Sequence, residues 1–341
     1  MRRRADRAPR GTVPRVRAAA GRPRKRGVDL SVDLGPLRLK NPIVAASGTF
    51  GYGTDFLPYL DLRDLGGFVT KGLSLLPRRG NAPPRTCETP SGMLNAIGLA
   101  NVGVEAFLSE KLPALRDCGT AIIANVFGET QEEYVAVARR LNGATGLAAL
   151  ELNLSCPNTE KGGLAFGVSP PVVRQVVAAV RRAAPDLPLI VKLTPNITDV
   201  AVAGSAAREG GADVLSLVNT FLGMAIDLET RRPVLDNVVG GLSGPAIKPL
   251  ALYMVHRVYR EVGLPVLGMG GISCAEDALE FMLAGSAAVQ VGTLNFFDPT
   301  GSVRLVREIE AWCRSAGVRA VRDLTGTLRL PAGRPPAPCS G

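Results

Sequence analysis

Eight short apolar runs recur along the chain, at residues 43–46, 67–70, 121–124, 148–154, 189–193, 214–218, 265–269 and 287–291. Each is continuous rather than alternating. A strand of that kind is buried on both faces, which requires helices above and below it. Helix-like segments supply that cover, most clearly at 104–116, 131–141, 171–182, 200–209, 247–262, 275–283 and 302–316. Thr130, Ser169 and Thr198 stand where N-caps belong. Eight parallel strands alternating with helices predict an α/β fold, a closed (β/α)8 TIM barrel, whose usual length is roughly 250–300 residues. A doubly wound sheet would call for G-x-G-x-x-G after an early strand, and none is present. Ahead of the barrel, residues 30–34 and 37–39 alternate like a short hairpin. One long insertion, residues 73–103, follows the second strand, and a loop of that length on such a rim belongs to a lid or a site.

The formal charge of +10 would suggest a nucleic-acid partner, but its position argues against one. Residues 1–27 hold ten Arg and Lys25 against Asp6, and the remaining 29 basic and 29 acidic residues cancel. The body is neutral and the charge sits in a tail without apolar periodicity, read as disordered. The tail has no apolar h-region of a secretory signal. No stretch reaches the roughly 20 apolar residues that span a bilayer. Six cysteines (87, 118, 156, 274, 313, 339) are scattered without C-x-x-C, which spells neither a zinc site, an iron–sulfur site nor a disulfide framework. Reduced thiols in a cytoplasm are expected. His256, the only histidine, falls in a helical pattern and reads as a partly exposed helix residue. The domain reading is a basic tail over 1–27, a catalytic barrel over 28–330 and a Pro-rich end over 331–341.

The residues closing the runs are Ser47-Gly48, Lys71-Gly72, Asn125, Asn153, Lys192, Asn219-Thr220, Gly270-Gly271 and Gly292-Thr293. Active sites of this fold lie on that rim. A single Asn at a strand end is usually a turn residue. Three Asn, two Lys and the adjacent Cys156 on one rim exceed what turns need. The glycine pairs after strands seven and eight match an anion site built from backbone N–H groups. A further turn, Gly240-Gly241-Leu242-Ser243-Gly244-Pro245, could add donors through Ser243 and Gly244.

A phosphate there, with the other end of the ligand under Ser47, Lys71, Asn125 and Lys192, suits flavin mononucleotide. A lysine beside the ring would stabilise the negative charge that develops on reduction. The stretch Glu151-Leu152-Asn153-Leu154-Ser155-Cys156-Pro157-Asn158 runs from a buried strand to a thiol and a chain stop. A thiolate there could act as general base. A structural cysteine beside a turn is the plainer reading of that residue alone.

The segments Asn153-Leu154-Ser155-Cys156-Pro157-Asn158-Thr159, Asn95-Ala96-Ile97-Gly98-Leu99, Val191-Lys192-Leu193-Thr194-Pro195-Asn196 and Asn219-Thr220 resemble those of dihydroorotate dehydrogenases. Ser47-Gly48-Thr49-Phe50-Gly51 and Gly270-Gly271-Ile272 fit the same family, and the resemblance runs from about Val28 to about Leu330. Cys at the base position resembles class 1. Gly223-Met224-Ala225-Ile226-Asp227 and Ile97 resemble the 1B branch.

The resemblance implies that Cys156 removes a proton from dihydroorotate while hydride passes to FMN. It implies substrate binding by Lys71, Asn95, Ala96, Ile97, Gly98, Leu99, Asn153, Asn158, Asn219 and Thr220. FMN, one per chain, would lie on Ser47, Lys71, Gly72, Asn125, Asn153, Lys192, Val218, Gly244, Gly270, Gly271, Gly292 and Thr293. No metal is expected on this chain. It further implies a homodimer at the core of a heterotetramer, whose partner carries FAD and a [2Fe–2S] cluster and passes electrons to NAD.

Four alternatives stand beside it, one of them a binding protein for an electron-transfer partner with no activity of its own. A fumarate-linked class 1A enzyme shares the chemistry. A tRNA-dihydrouridine synthase pairs FMN with a loop cysteine, but wants a basic folded body. A non-redox phosphate-binding barrel explains the glycines but not Lys71, Asn125 and Lys192 together.

Overall fold

The structure, a computed structural model, describes residues 27–154 and 164–331. Eight parallel strands close into a barrel. They are β1 (Ile43–Ala45), β2 (Gly67–Val69), β3 (Ala121–Val126), β4 (Ala149–Asn153), β5 (Leu189–Lys192), β6 (Val214–Leu217), β7 (Val266–Met269) and β8 (Ser286–Val291). Each strand pairs with its sequence neighbours, and β8 returns to β1 through Val289–Val291 against Ile43–Ala45. The (β/α)8 expectation is met because every run is buried on both faces. One face fills the barrel and the other packs under helices at Gln131–Leu141, Pro170–Ala183, Val200–Glu209, Lys248–Val262, Ala275–Ala284 and Gly301–Ser315. The segment over 104–115 carries a π turn at Phe107–Lys111, just before Pro113. A proline without an N–H loosens the turn ahead of it.

The expected N-caps divide. Thr130 accepts from Glu133 N at 3.2 Å. Ser169 occupies the cap position without a side-chain bond. Asp199, not Thr198, caps the next helix, accepting from Ala201 N at 3.0 Å. A carboxylate accepts more strongly than a hydroxyl at the positive end of a helix.

The hairpin is present, with Val32–Leu34 antiparallel to Leu37–Leu39. Its four leucine and valine ends are buried. It lies against the start of β6, where Gly35 approaches Asp213 O so closely that a Cβ would sit 3.2 Å away. The hairpin therefore plugs the N-terminal end of the barrel and leaves the other rim for the site.

The insertion after β2 folds as a hairpin of Thr86–Thr89 and Gly92–Asn95. It does not stand alone. A second excursion, after β6, contributes Phe221–Gly223 and Gly240–Ser243, and the four strands form one antiparallel sheet. The pairing joins residues about 150 apart, so no local pattern announces it. This sheet roofs the C-terminal rim.

Candidate active site

A buried polar layer crosses the barrel below that rim. Its centre is Glu151 on β4, with none of its surface exposed. Asn125 Nδ2 on β3 donates to Glu151 Oε2 at 2.7 Å. Ser216 Oγ on β6 donates to Oε1 at 2.9 Å, and Gln290 Nε2 on β8 donates to the same oxygen. Lys192 Nζ at the end of β5 lies 3.8 Å from Oε2. An isolated carboxylate would be prohibitive in such a place, and four strands supply the donors and counter-charge that permit it. Two acceptors in the layer, Asn125 Oδ1 and Gln290 Oε1, are buried without a hydrogen-bond partner. Gly72 makes room beside the first, because a Cβ there would stand 3.1 Å from Asn125 Oδ1.

Above this layer Lys71 follows β2, half-buried, its backbone N–H donating to Gly51 O at 2.8 Å. Burial pushes the Lys71 ammonium below the ordinary lysine value, and the nearby Arg85 guanidinium adds to the shift. Two cations on one rim favour an anionic ligand. Asn153 ends β4 at the same level, its carbonyl accepting from Tyr134 OH at 2.8 Å.

Turns after β7 and β8 form a glycine cradle. Gly270 and Gly271 adopt φ of 125° and 78°, the left-handed half of conformational space that glycine tolerates. A Cβ on Gly271 would come within 2.8 Å of Lys248 N and 2.9 Å of Gly244 O. Across the cradle, Thr293 Oγ1 donates to Ser243 Oγ at 2.9 Å. Gly292 differs, because the nearest atom to a Cβ there is Ala46 Cβ at 3.6 Å. Protein packing does not demand glycine at that position, whereas the approach of a ligand would. Asn295 holds the turn, donating to Val291 O at 2.9 Å while Ser302 Oγ donates to its Oδ1 at 2.7 Å.

The roof brings the remaining residues over the mouth. Asn95 Nδ2 donates to Gly241 O at 3.3 Å. Ala96 N donates to Arg85 O, and Asn81 N to Ile97 O, which pins the 95–99 turn. Gly98 and Leu99 both take positive φ there. Asn219 Oδ1 accepts from Thr220 N at 2.9 Å. Asn196 ties that loop to the roof, donating to Thr220 O at 3.1 Å and accepting from Leu222 N at 3.0 Å.

The structure thus gathers Lys71, Gly72, Asn125, Asn153 and Lys192 at the barrel mouth. Gly244, Gly270, Gly271, Gly292 and Thr293 make the cradle. Ser47 follows β1 and Val218 follows β6 on the same rim. Asn125 requires a correction, for it lies within β3 rather than closing it, since that strand runs on to Val126. Its side chain consequently points into the barrel, where it meets Glu151. Cys156 and Asn158 lie outside the described residues. His256 is partly exposed on its helix, its Nδ1 3.3 Å from Ala284 O.

Sequence reasoning gave no role to Glu151, Ser216, Gln290, Arg85 and Asn196. A charge inside the run Ala149-Leu150-Glu151-Leu152-Asn153 was the available signal for the first. Among the described residues no group of His, Cys, Asp and Glu is placed to hold a metal ion. No helix there is long and apolar enough to cross a membrane.

Comparison with known proteins adds a family. The dihydroorotate dehydrogenase family model matches residues 29–312. A dihydroorotate dehydrogenase B (NAD(+)) catalytic subunit of Pelobacter propionicus is 56% identical over 300 residues, covering 88% of this chain and 98% of the relative. Proteins of the same description from Trichlorobacter lovleyi and Geobacter sp. strain M21 are 55% and 53% identical, each over nearly nine-tenths of this chain and 98–99% of the relative. With a barrel whose rim gathers lysines, amides and a glycine cradle, and a family match across most of its length, the chain belongs to the dihydroorotate dehydrogenase family.

Proposed function

We propose that this chain is the catalytic subunit of a class 1B enzyme that oxidises (S)-dihydroorotate to orotate in pyrimidine biosynthesis and passes the electrons through a partner subunit to NAD. The observation that carries the reading is the convergence of Lys71, Asn125 and Lys192 at a mouth that also holds the Gly270-Gly271 and Gly292-Thr293 turns. One FMN fits the residues present. The unpartnered Asn125 Oδ1 is an acceptor awaiting a donor, and the space over Gly292 admits a group that a side chain would displace. Ser47, Lys71, Gly72, Asn125, Asn153, Lys192 and Val218 would hold the ring end. Gly244, Gly270, Gly271, Gly292 and Thr293 would hold the phosphate end. When bound, FMN supplies the acceptor for the hydride that leaves C6 of the substrate.

The chain's own residues supply the rest. Cys156, as thiolate, takes the proton from C5, and the C–H electron pair left there becomes the C5–C6 double bond as the C6 hydride departs. Lys71 and Arg85 offer positive charge to the substrate carboxylate. Asn95, Ala96, Ile97, Gly98, Leu99, Asn153, Asn158, Asn219 and Thr220 orient the pyrimidine ring and exclude water from it. The catalytic unit spans 28–330. The assembly is a homodimer within a heterotetramer whose partner carries FAD and a [2Fe–2S] cluster, in the cytoplasm.

The test is an anaerobic titration of the purified chain with dihydroorotate, followed by flavin absorbance, with NAD and then fumarate offered as oxidants. Bleaching without reoxidation by either alone is expected of a subunit that needs its partner. Rapid reoxidation by fumarate would move the chain to class 1A. Bound flavin that dihydroorotate leaves oxidised would sink the substrate assignment. Cys156→Ala should lower the reduction rate by about 10²–10⁴-fold, the usual contribution of a general base.

A further inference from the structure

Glu151 takes no part in the chemistry just described, yet four strands converge on it. It stands two residues before Asn153 on β4, so both side chains face the same way, into the barrel and toward the rim. A polar plug that merely filled the barrel would satisfy its own members. This one leaves Asn125 Oδ1 and Gln290 Oε1 buried and unpaired. Such orphans are uncommon and costly in a folded protein, and each calls for a reason.

The reason lies in how Glu151 binds the Asn125 amide. A carboxylate accepts hydrogen bonds and donates none, so it must face the Nδ2 end of the amide. The 2.7 Å bond from Asn125 Nδ2 to Glu151 Oε2 accordingly turns Oδ1 away, toward Gly72 on the β2 side of the mouth. Glu151 thereby decides which end of Asn125 a ligand meets. The Lys192 ammonium, 3.8 Å from Oε2, is drawn toward the carboxylate but stands beyond hydrogen-bond length. It keeps its donors for a neighbour. Glu151 also sets a carboxylate in a layer buried from solvent, where electrostatic effects are least screened.

We propose that Glu151 is the positioning residue of the flavin site. It presents the Asn125 carbonyl oxygen to the ring, tethers Lys192, and through its fixed charge holds down the reduction potential of the bound flavin. The inference rests on the dihydroorotate dehydrogenase reading above. Reduction adds negative charge to the ring; Lys192 favours that change and Glu151 opposes it. The carboxylate therefore sets how readily the ring accepts electrons and how readily it passes them on.

The experiment compares Glu151→Gln and Glu151→Asp with the parent, using the full chain purified with its flavin. The readouts are the flavin midpoint potential, measured electrochemically without substrate, and the flavin dissociation constant. Glu151→Gln removes the charge at constant shape and leaves one acceptor oxygen to serve the Asn125, Ser216 and Gln290 donors that two oxygens now serve. It is expected to raise the potential by about 30 mV or more, a tenfold change in equilibrium constant for a two-electron couple. It is also expected to weaken flavin binding at least tenfold. Glu151→Asp keeps the charge but withdraws it by one methylene from Asn125, so affinity should fall while the potential stays at the parental value.

A parental potential in a folded, flavin-bound Glu151→Gln chain overturns the proposal. Parental flavin affinity in both variants does the same. Should Glu151→Gln yield no folded protein, parental affinity in Glu151→Asp alone overturns it. A parent chain that takes up no flavin would overturn the family reading and this inference with it. Parental flavin that dihydroorotate does not reduce would count against the substrate assignment alone.

Discussion

At the scale of single residues, the site is built from groups held in states they would not choose in water. Lys71 is the clearest case, since burial, then the Arg85 guanidinium, hold its ammonium below the ordinary value of 10.5. A lysine whose folded value lies below its unfolded one costs stability in full below that folded value. The cost is released as pH rises from there to about 10.5, because only the unfolded chain then still binds the proton. Flavin-free Lys71→Met should therefore be at least as stable as the parent at pH 7 in thermal melts, with the difference shrinking toward pH 10.5. Its dihydroorotate binding should be lost. Lower stability of the variant at pH 7 would show that Lys71 is structural. The glycines divide in the same spirit. Gly271→Ala meets backbone at 2.8 Å and a positive φ, so it should lose about 1–3 kcal/mol in chemical denaturation. Gly292→Ala meets nothing closer than 3.6 Å and should keep its stability within about 0.5 kcal/mol. Both should bind flavin more weakly, and an unchanged flavin affinity in Gly292→Ala would remove that residue from the phosphate site.

At the scale of elements, the cradle depends on two helices held side by side at their N-terminal ends. Lys248 opens the helix Lys248–Val262, and its Nζ donates to Asp277 Oδ1 at 2.6 Å on the helix Ala275–Ala284. Asp277 Oδ2 in turn accepts from Ser273 N and Ser273 Oγ, each at 2.8 Å. Burial pushes the Asp277 carboxyl up, but Lys248 and the Ser273 donors outweigh it and hold it at about 2. A carboxylate so depressed contributes stability above its unfolded value of 3.8, and the contribution is lost as pH falls from there through about 2. Asp277→Asn should lose roughly 1–3 kcal/mol at pH 7, the range for hydrogen bonds to a charged group. The gap from the parent should narrow between pH 4 and pH 2 in denaturant titrations. A gap that stayed constant across that range would mean the charge itself contributes nothing. The roof sheet makes a complementary point about elements. Its hairpin over 86–95 lies in an insertion that reads as a loop, and its partners over 221–223 and 240–243 are short strands that read the same way until the fold places them edge to edge.

At the scale of the whole molecule, the two ends of the described chain meet under the barrel. Asp29 N donates to Arg319 O and Val321 N to Asp29 O, each at 2.9 Å, and the Arg322 guanidinium pairs with the Asp29 carboxylate. A chain that starts at Val28 should therefore keep the parent's stability within about 0.5 kcal/mol and its flavin content. One that starts at Lys40 loses Asp29 and the hairpin plug, exposes the barrel floor and should melt at a clearly lower temperature. Equal melting temperatures of the two truncated chains would contradict that account. The barrel itself was legible in the sequence, because eight doubly buried strands must be written as continuous apolar runs and there are few ways to cover them. The rim was legible too, since Lys71, Asn153, Lys192 and the glycine pairs interrupt those runs at their ends, where no core residue is required. The polar layer was not, because Glu151, Asn125, Ser216 and Gln290 come from strands up to 165 positions apart. Closure of the barrel alone makes them neighbours. Sequence by itself determined which residues could be buried and which must lie at strand ends, through local hydrophobicity and backbone chemistry. Only the tertiary structure decided that a buried carboxylate would face one end of an amide and leave the other end free, because long-range hydrogen-bond geometry has no local signature.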